Sequence, residues 1–482
     1  MAAERVHDLA MNADTTNTRE GLSGELVQRL NAVLGPAGCL TGDAIEARHY
    51  RDWLGSRAIR PALLLRPAST AEVSAVLRAC HEFNLPVTPQ GGLTGLVSAA
   101  APLAGELALS LERMRNIEEV DRFTSTMTVE AGVPLQSIQE QAGQHGMLFP
   151  LDLGARGSCT IGGNLATNAG GNRVIRYGMT RALTLGVEAV LADGTIIDGL
   201  NKLRKNNSGY DLNQLFIGSE GTLGVITRAV LKLIPKPASQ AVALCGLQSF
   251  DQVAELLLHC QRSLAGNLTA FEVLWDNTYQ LIAKHLPEVS LPLEPGYPFY
   301  ALVESMGTDA AGDQRNFVDI LNQALESGLI KDCVIAESER QIEGLWRVRD
   351  AAADIITGAG FMHAYDVSLG IADMGYFGDE VQRRLTAKWP QAVVGLFGHI
   401  GDGNVHIVVN VGPDTRALHR PIDETIYQLI QELNGSISAE HGIGIMKKPF
   451  LGCSRSEAEI ALMRTLKKSL DPRGILSPGR IF

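Results

Sequence analysis

The chain lacks any apolar run approaching the roughly 18–20 residues that cross a bilayer. It lacks a basic excess as well. Its 482 residues carry 42 Lys and Arg against 53 Asp and Glu, and a formal charge of −11 disfavours nucleic acid, which a basic face would hold. The seven cysteines (39, 80, 159, 245, 260, 333 and 453) show no CxxC spacing and are odd in number. They read as reduced, mostly buried thiols of an intracellular protein. Neither GxGxxG between a strand and a helix nor GxxxxGK followed by Ser or Thr occurs, which argues against a Rossmann dinucleotide site and a P-loop NTPase. Internal repeats and low-complexity segments are also missing. Residues 1–20 are polar and contain Glu4, Asp8 and Asp14, unlike a secretory signal or an acid-poor transit peptide. A disordered tail over 1–20 and a cytoplasmic location are the expectations.

What is present suits a soluble protein of two or three domains, with 45% hydrophobic and 20% charged residues. A helix is predicted over 24–34, ended by Gly35-Pro36. A βαβ pattern follows: a strand at 62–65, a Ser69/Glu72 capping box with the stripe Val73, Val76, Leu77 and Cys80, then a strand from 85. That strand runs into a glycine loop, 89–95. A second stretch, 150–172, interleaves six glycines with Ser, Thr and Asn. So many small residues would cost conformational entropy in a plain loop, and their free N–H groups suit a diphosphate and a polar ring system. Strands at 183–191 and 195–198 lead to a third glycine loop, 218–224. Pro235-Lys236-Pro237 marks a domain boundary. Beyond it, strands at 240–244, 299–304, 393–397 and 405–411 alternate with helices at 250–264, 311–325 and 378–386. That pattern predicts an antiparallel sheet with helices on one face. A last helix is expected over 456–470.

Asp402-Gly403, flanked by apolar residues, is the dipeptide favoured in two-residue hairpin loops. That loop would place His399 opposite His406 on one face, with Cβ atoms about 4.5–5.5 Å apart. Two imidazoles so held can chelate a metal, and Glu440-His441 downstream offers a carboxylate and a third imidazole. Two His and one carboxylate form a recurring open metal site.

Seven stretches (89–95, 150–171, 204–212, 218–224, 398–406, 438–444 and 470–478) together resemble the FAD-linked oxidoreductases of the vanillyl-alcohol-oxidase type, and within them the D-2-hydroxyglutarate and D-lactate dehydrogenases. The resemblance runs from about Tyr50 to the end. It implies an α+β fold with a two-subdomain FAD-binding domain over 21–235. An antiparallel-sheet α+β cap over 236–446 would carry substrate and metal, and a C-terminal segment, 447–482, would return to the FAD domain. By the same resemblance FAD is held by Pro89, Gly91, Gly92, Thr94, Gly95 and Leu96 of the first loop. The second contributes Pro150, Leu151, Asp152, Gly157, Ser158, Ile161, Gly162, Gly163, Asn164, Thr167, Asn168, Gly170 and Gly171. Glu220, Gly221, Gly224, Ile226 and Asn404 complete the set. Leu93 stands where covalent members carry the flavin-linking His, so non-covalent FAD is expected. Close relatives usually carry Asn there.

The resemblance also makes His399, His406 and Glu440 ligands of a divalent metal, most often zinc, with His441 as the base and Arg349 pairing with the substrate carboxylate. Three substrate-pocket positions depart from the 2-hydroxyglutarate pattern: Ala353 for Thr, Ala364 for Lys and Val408 for Asn. Each change removes a polar contact, and an unpaired buried carboxylate costs several kcal/mol. The expected activity is metal-assisted oxidation of a D-2-hydroxy acid to the 2-oxo acid, with hydride passing to flavin. The expected substrate is a lactate- or mandelate-like monocarboxylate, and D-2-hydroxyglutarate is the alternative. The electron acceptor would be a quinone, an electron-transfer flavoprotein or a cytochrome, and a homodimer is compatible with the chain. A metal-dependent hydrolase is the competing class; it leaves the glycine loops unexplained.

Overall fold

The computed structural model of the protein describes residues 22–52, 58–358, 362–413 and 415–482. The expected tail over 1–20 lies outside the described residues. A first sheet holds β1 (Cys39–Leu40), β2 (Leu64–Leu65), β3 (Val87–Gln90) and β4 (Leu107–Ser110) in the order β1-β2-β4-β3. The helix Thr70–Glu82 joins β2 to β3, yet β4 lies between them and runs parallel to both. All four β4 residues are buried, so the strand is shielded on both faces, as parallel strands usually are. At the start of that helix Ser69 Oγ accepts from Glu72 N at 3.2 Å, but Glu72 reaches back to Ala68 N, one residue earlier than a capping box would.

The second sheet is antiparallel. It takes β5 (Ile117–Asp121), β6 (Thr126–Glu130), β8 (Thr184–Val190), β9 (Ile196–Asp198) and β10 (Val225–Lys232), ordered β5-β6-β10-β8-β9, while a short β7 (Met147–Leu148) pairs with β11 (Ile234–Pro235). The helix Ile161–Thr167 lies in its core, where Ile161 and Leu165 pack with Ile226 and Ala229.

The third sheet has seven antiparallel strands: β12 (Ser239–Leu247), β13 (Leu268–Trp275), β14 (Phe299–Gly307), β15 (Asp332–Ile335), β16 (His363–Ser368), β17 (Val393–His399) and β18 (Asn404–Asn410), ordered β15-β12-β14-β13-β17-β18-β16. Helices cover both faces, not one. Ala241, Ala243 and Cys245 face Phe250–Ser263, Ala310–Glu326, Met374–Lys388 and His419–Glu432. Val242 and Leu244 face the opposite way, towards Asp276–His285 and Glu339–Gly358. The physical reason is visible on β13, whose eight residues are all buried, so each face requires a cover. On that second face Glu304, fully buried, meets Arg173 of the 152–173 segment at 3.0 Å and so ties the third sheet to the other two.

After the helix Glu457–Leu470 the chain returns to the first sheet. Val87 N donates to Ile475 O at 2.7 Å and Ser477 N to Val87 O at 2.9 Å. Arg480 is fully buried, with Nη2 2.8 Å from Glu106 Oε2 and 2.6 Å from Ala101 O. Arg480→Leu would leave Glu106 buried and unpaired. We expect a loss of about 3–5 kcal/mol, read as a lower urea midpoint with unchanged slope.

Candidate functional site at the junction of the sheets

The 399–406 hairpin is wider than a two-residue loop. Phe397, not His399, stands opposite His406, and Ile400–Asp402 form a helical turn closed by Gly403 at φ +90°. A two-residue type I′ loop needs positive φ at both central positions, and Asp402 does not adopt it. Ile400, fully buried, draws the chain into the turn instead. The register moves by two residues, which preserves the face. His399 and His406 therefore still share one side, with ring centroids 5.2 Å apart.

Each histidine has a carboxylate directly across the ladder. Glu272 on β13 pairs in register with His399, and Asp366 on β16 with His406. Glu272 Oε1 accepts from His399 Nδ1 at 2.6 Å, and its Oε2 from Arg349 Nε at 2.8 Å. Burial pushes the Glu272 carboxyl up, but the His399 and Arg349 charges outweigh it and hold it at about 2. His406 moves the other way. Burial drives it well below its ordinary value, and the neighbouring His399 and Arg349 charges add to the effect. Both effects favour the neutral imidazole, the form that binds a metal.

Asp366 is fully buried and organises the 438–444 loop. Its Oδ2 accepts the N–H groups of Ala439 (3.0 Å), Glu440 (2.7 Å) and His441 (3.1 Å). Its Oδ1 lies 2.9 Å from His441 Nδ1 and also meets Lys447 Nζ. Glu440 Oε1 accepts from Gly171 N at 2.7 Å and stands 3.8 Å from His399 Nε2. One ligand atom each from His399, His406 and Glu440 lie within 4.8 Å of one another. Two imidazoles and a carboxylate at that spacing fit a divalent cation such as zinc.

Beside this cluster lies a cavity of about 400 Å³ whose wall includes Glu440 and His441. Of the residues expected to hold a flavin, Pro89, Gly91, Gly92, Thr94, Gly95, Leu96, Gly162, Gly163, Asn164, Thr167, Gly170, Glu220, Gly221, Gly224 and Ile226 line it. Pro150, Leu151, Asp152, Gly157, Ser158, Ile161, Asn168, Gly171 and Asn404 do not. Leu151 and Ile161 are core residues, Asp152 pairs with Arg173 at 3.1 Å, and Asn168 Oδ1 accepts from Arg181 N at 2.9 Å. Thr160 Oγ1 and Asn164 Oδ1 on the wall are buried without a hydrogen-bond partner, as is the amide of Asn404. Unsatisfied polar groups beside a glycine-built cleft fit a flavin and its diphosphate. A Cβ at Gly92 would sit 2.1 Å from Ser158 O, so only glycine lets the first two loops meet. Leu93 adopts φ +59°, a conformation Asn tolerates far better than Leu.

Arg349 and the three departing positions are not on the cavity wall. Ala364 and Val408 stand opposite each other, two residues along the ladder from Asp366 and His406 and so on the same face. Val408 is buried in the core with Tyr279 and Phe397, whereas Ala353 and Ala364 are exposed. Sequence reasoning missed Glu272 and Asp366. A lone acid inside the run Leu268–Trp275 was the available signal, since an acid in a fully buried strand is rare unless paired.

Family descriptions match two segments: an FAD binding domain over 61–199, and the C-terminal domain of FAD linked oxidases over 236–481. A D-2-hydroxyglutarate dehydrogenase of Bos taurus is 41% identical over 431 residues, covering 89% of this chain and 78% of that protein. A Schizosaccharomyces pombe chain bearing the name D-lactate dehydrogenase is 38% identical over 467 residues, 95% of this chain and 87% of its own. The structure of p-cresol methylhydroxylase superposes with a TM-score of 0.73 at 16% identity, covering 96% of this chain and 98% of that one. Both relatives are named as mitochondrial, which overturns the cytoplasmic expectation. Reduced thiols and an acidic composition do not distinguish one reducing compartment from another. Among the described residues, no helix is long and apolar enough to cross a membrane.

Gly92→Ala should part the two loops and lower bound flavin roughly tenfold, about 1.4 kcal/mol, measured by the visible absorbance of purified protein. Leu93→Asn should relieve left-handed strain and raise stability by about 1 kcal/mol, read in a thermal melt.

Proposed function

Because the chain belongs to the family of FAD-linked oxidases and is an FAD-dependent dehydrogenase of 2-hydroxy acids, we propose that it oxidises a D-2-hydroxy monocarboxylate with the help of a divalent metal. The observation that carries this reading is His441 on the cavity wall beside Glu440, with Nδ1 engaged by a buried aspartate. When bound, flavin supplies a two-electron acceptor and the cation acidifies the substrate hydroxyl. His399, His406 and Glu440 hold the cation. The Asp366 contact fixes the His441 tautomer, so Nε2 is the atom that takes the hydroxyl proton. Arg349, anchored through Nε, orients the substrate carboxylate with the rest of its planar fork. Asp366 and Glu272 keep these groups from drifting. In this reading 21–235 hold the flavin, 236–446 form the cap and 447–482 close the flavin domain. A quinone, an electron-transfer flavoprotein or a cytochrome takes the electrons onward.

Ala364 and Val408 support an apolar side chain on the substrate. They face each other where the 2-hydroxyglutarate pattern carries Lys and Asn, and neither can pair a second carboxylate. A second reading, D-2-hydroxyglutarate, is favoured by the name of the Bos taurus relative. Steady-state kinetics separate the two. D-lactate or D-mandelate should exceed D-2-hydroxyglutarate in kcat/KM by about tenfold or more, and a preference for the dicarboxylate would overturn the first reading. His441→Gln should lower kcat by roughly 10²–10⁴ while flavin absorbance is retained.

A further inference from the structure

Arg349 and His399 make an unusual pair for a metal site. Arg349 Nη2 lies 3.1 Å from His399 Nε2, the ring nitrogen that faces Glu440. A guanidinium is permanently charged, so a cation held by that nitrogen would adjoin another positive group. Both residues are nearly sealed from water, which leaves little solvent to screen the repulsion. Asp350 is 3.8 Å from Arg349 Nη1 but more than half exposed, so its charge is largely spent on water. Among the described residues Glu272 is the one carboxylate that touches both, at 2.6 Å from His399 Nδ1 and 2.8 Å from Arg349 Nε, and it is 1% exposed. It stands in strand register with His399, so backbone hydrogen bonds fix its place.

We propose that Glu272 is the counter-charge that lets a divalent cation and the Arg349 guanidinium occupy adjoining places, orienting the His399 ring as it does so. The proposal rests on the metal reading above. Glu272 acts through its neighbours and is a positioning residue, not a catalytic one. Outer carboxylates behind metal-binding imidazoles raise ligand basicity and fix the tautomer. Here the same carboxylate also neutralises the cation needed for the substrate.

The test is zinc affinity of the flavin-loaded protein, measured by competition with a chromogenic chelator, with flavin content and melting temperature recorded alongside. Glu272→Gln preserves shape and removes charge, and should weaken zinc binding by roughly 10–100-fold. The double variant Glu272→Gln/Arg349→Leu removes the repelled cation and should recover most of that loss. Arg349→Leu alone should bind zinc more tightly than wild type, which keeps the test open should Glu272→Gln fail to fold. Wild-type affinity in Glu272→Gln, or no recovery in the double variant, would overturn the counter-charge. A wild-type protein that takes up no zinc or other divalent cation would overturn the metal reading and this proposal together.

Discussion

One buried carboxylate holds the site together. Asp366, fully buried on the edge strand β16 of the third sheet, has three consecutive backbone N–H groups, an imidazole and an ammonium converging on it. An uncompensated charge there would be prohibitive, so the 438–444 loop has little freedom to be elsewhere. Satisfying that carboxylate sets Glu440 over the two histidines and turns His441 to the cavity. The strong depression of the Asp366 carboxyl, achieved against its burial by His441 and Lys447, is the electrostatic expression of the same constraint.

The loop is also gripped from the other side. Glu220, in the third glycine loop, accepts from Ile443 N at 2.7 Å and Gly444 N at 2.8 Å. Gly171 N meets Glu440, and a Cβ at Gly170 would lie 2.6 Å from the same oxygen. Arg173 crosses to Glu304, which Gln240, Trp346 and Thr269 also satisfy. Polar, fully connected contacts of this kind define one relative placement of the sheets, where an apolar seam would tolerate sliding. The cavity and the histidine pair are therefore parts of one construction.

Much of this was legible in the chain. The helix over 24–34 has the expected bounds. The expected strands and helices beyond Pro235 appear with ends shifted by a few residues, because apolar periodicity reports the body of an element better than its termini. The 150–172 stretch pointed to a ligand with a diphosphate and a polar ring system, because so many small residues would cost entropy in a plain loop, and the resemblance named that ligand as FAD. The histidine pair survived an error of register, since a shift of two residues leaves the face unchanged.

Local sequence determined which segments are strands, which loops can approach a ligand and which side chains can bind a metal or move a proton. All of these follow from side-chain size, alternation and donor chemistry over a few residues. Tertiary structure decided the partners. The insertion of β4 between β2 and β3, helices on both faces of the third sheet, and the carboxylates behind His399 and His406 all join residues far apart in the chain. Glu272 is 127 positions from His399, and Asp366 is 75 from His441. A buried charge declares that it needs a partner, but only the folded sheet brings that partner alongside.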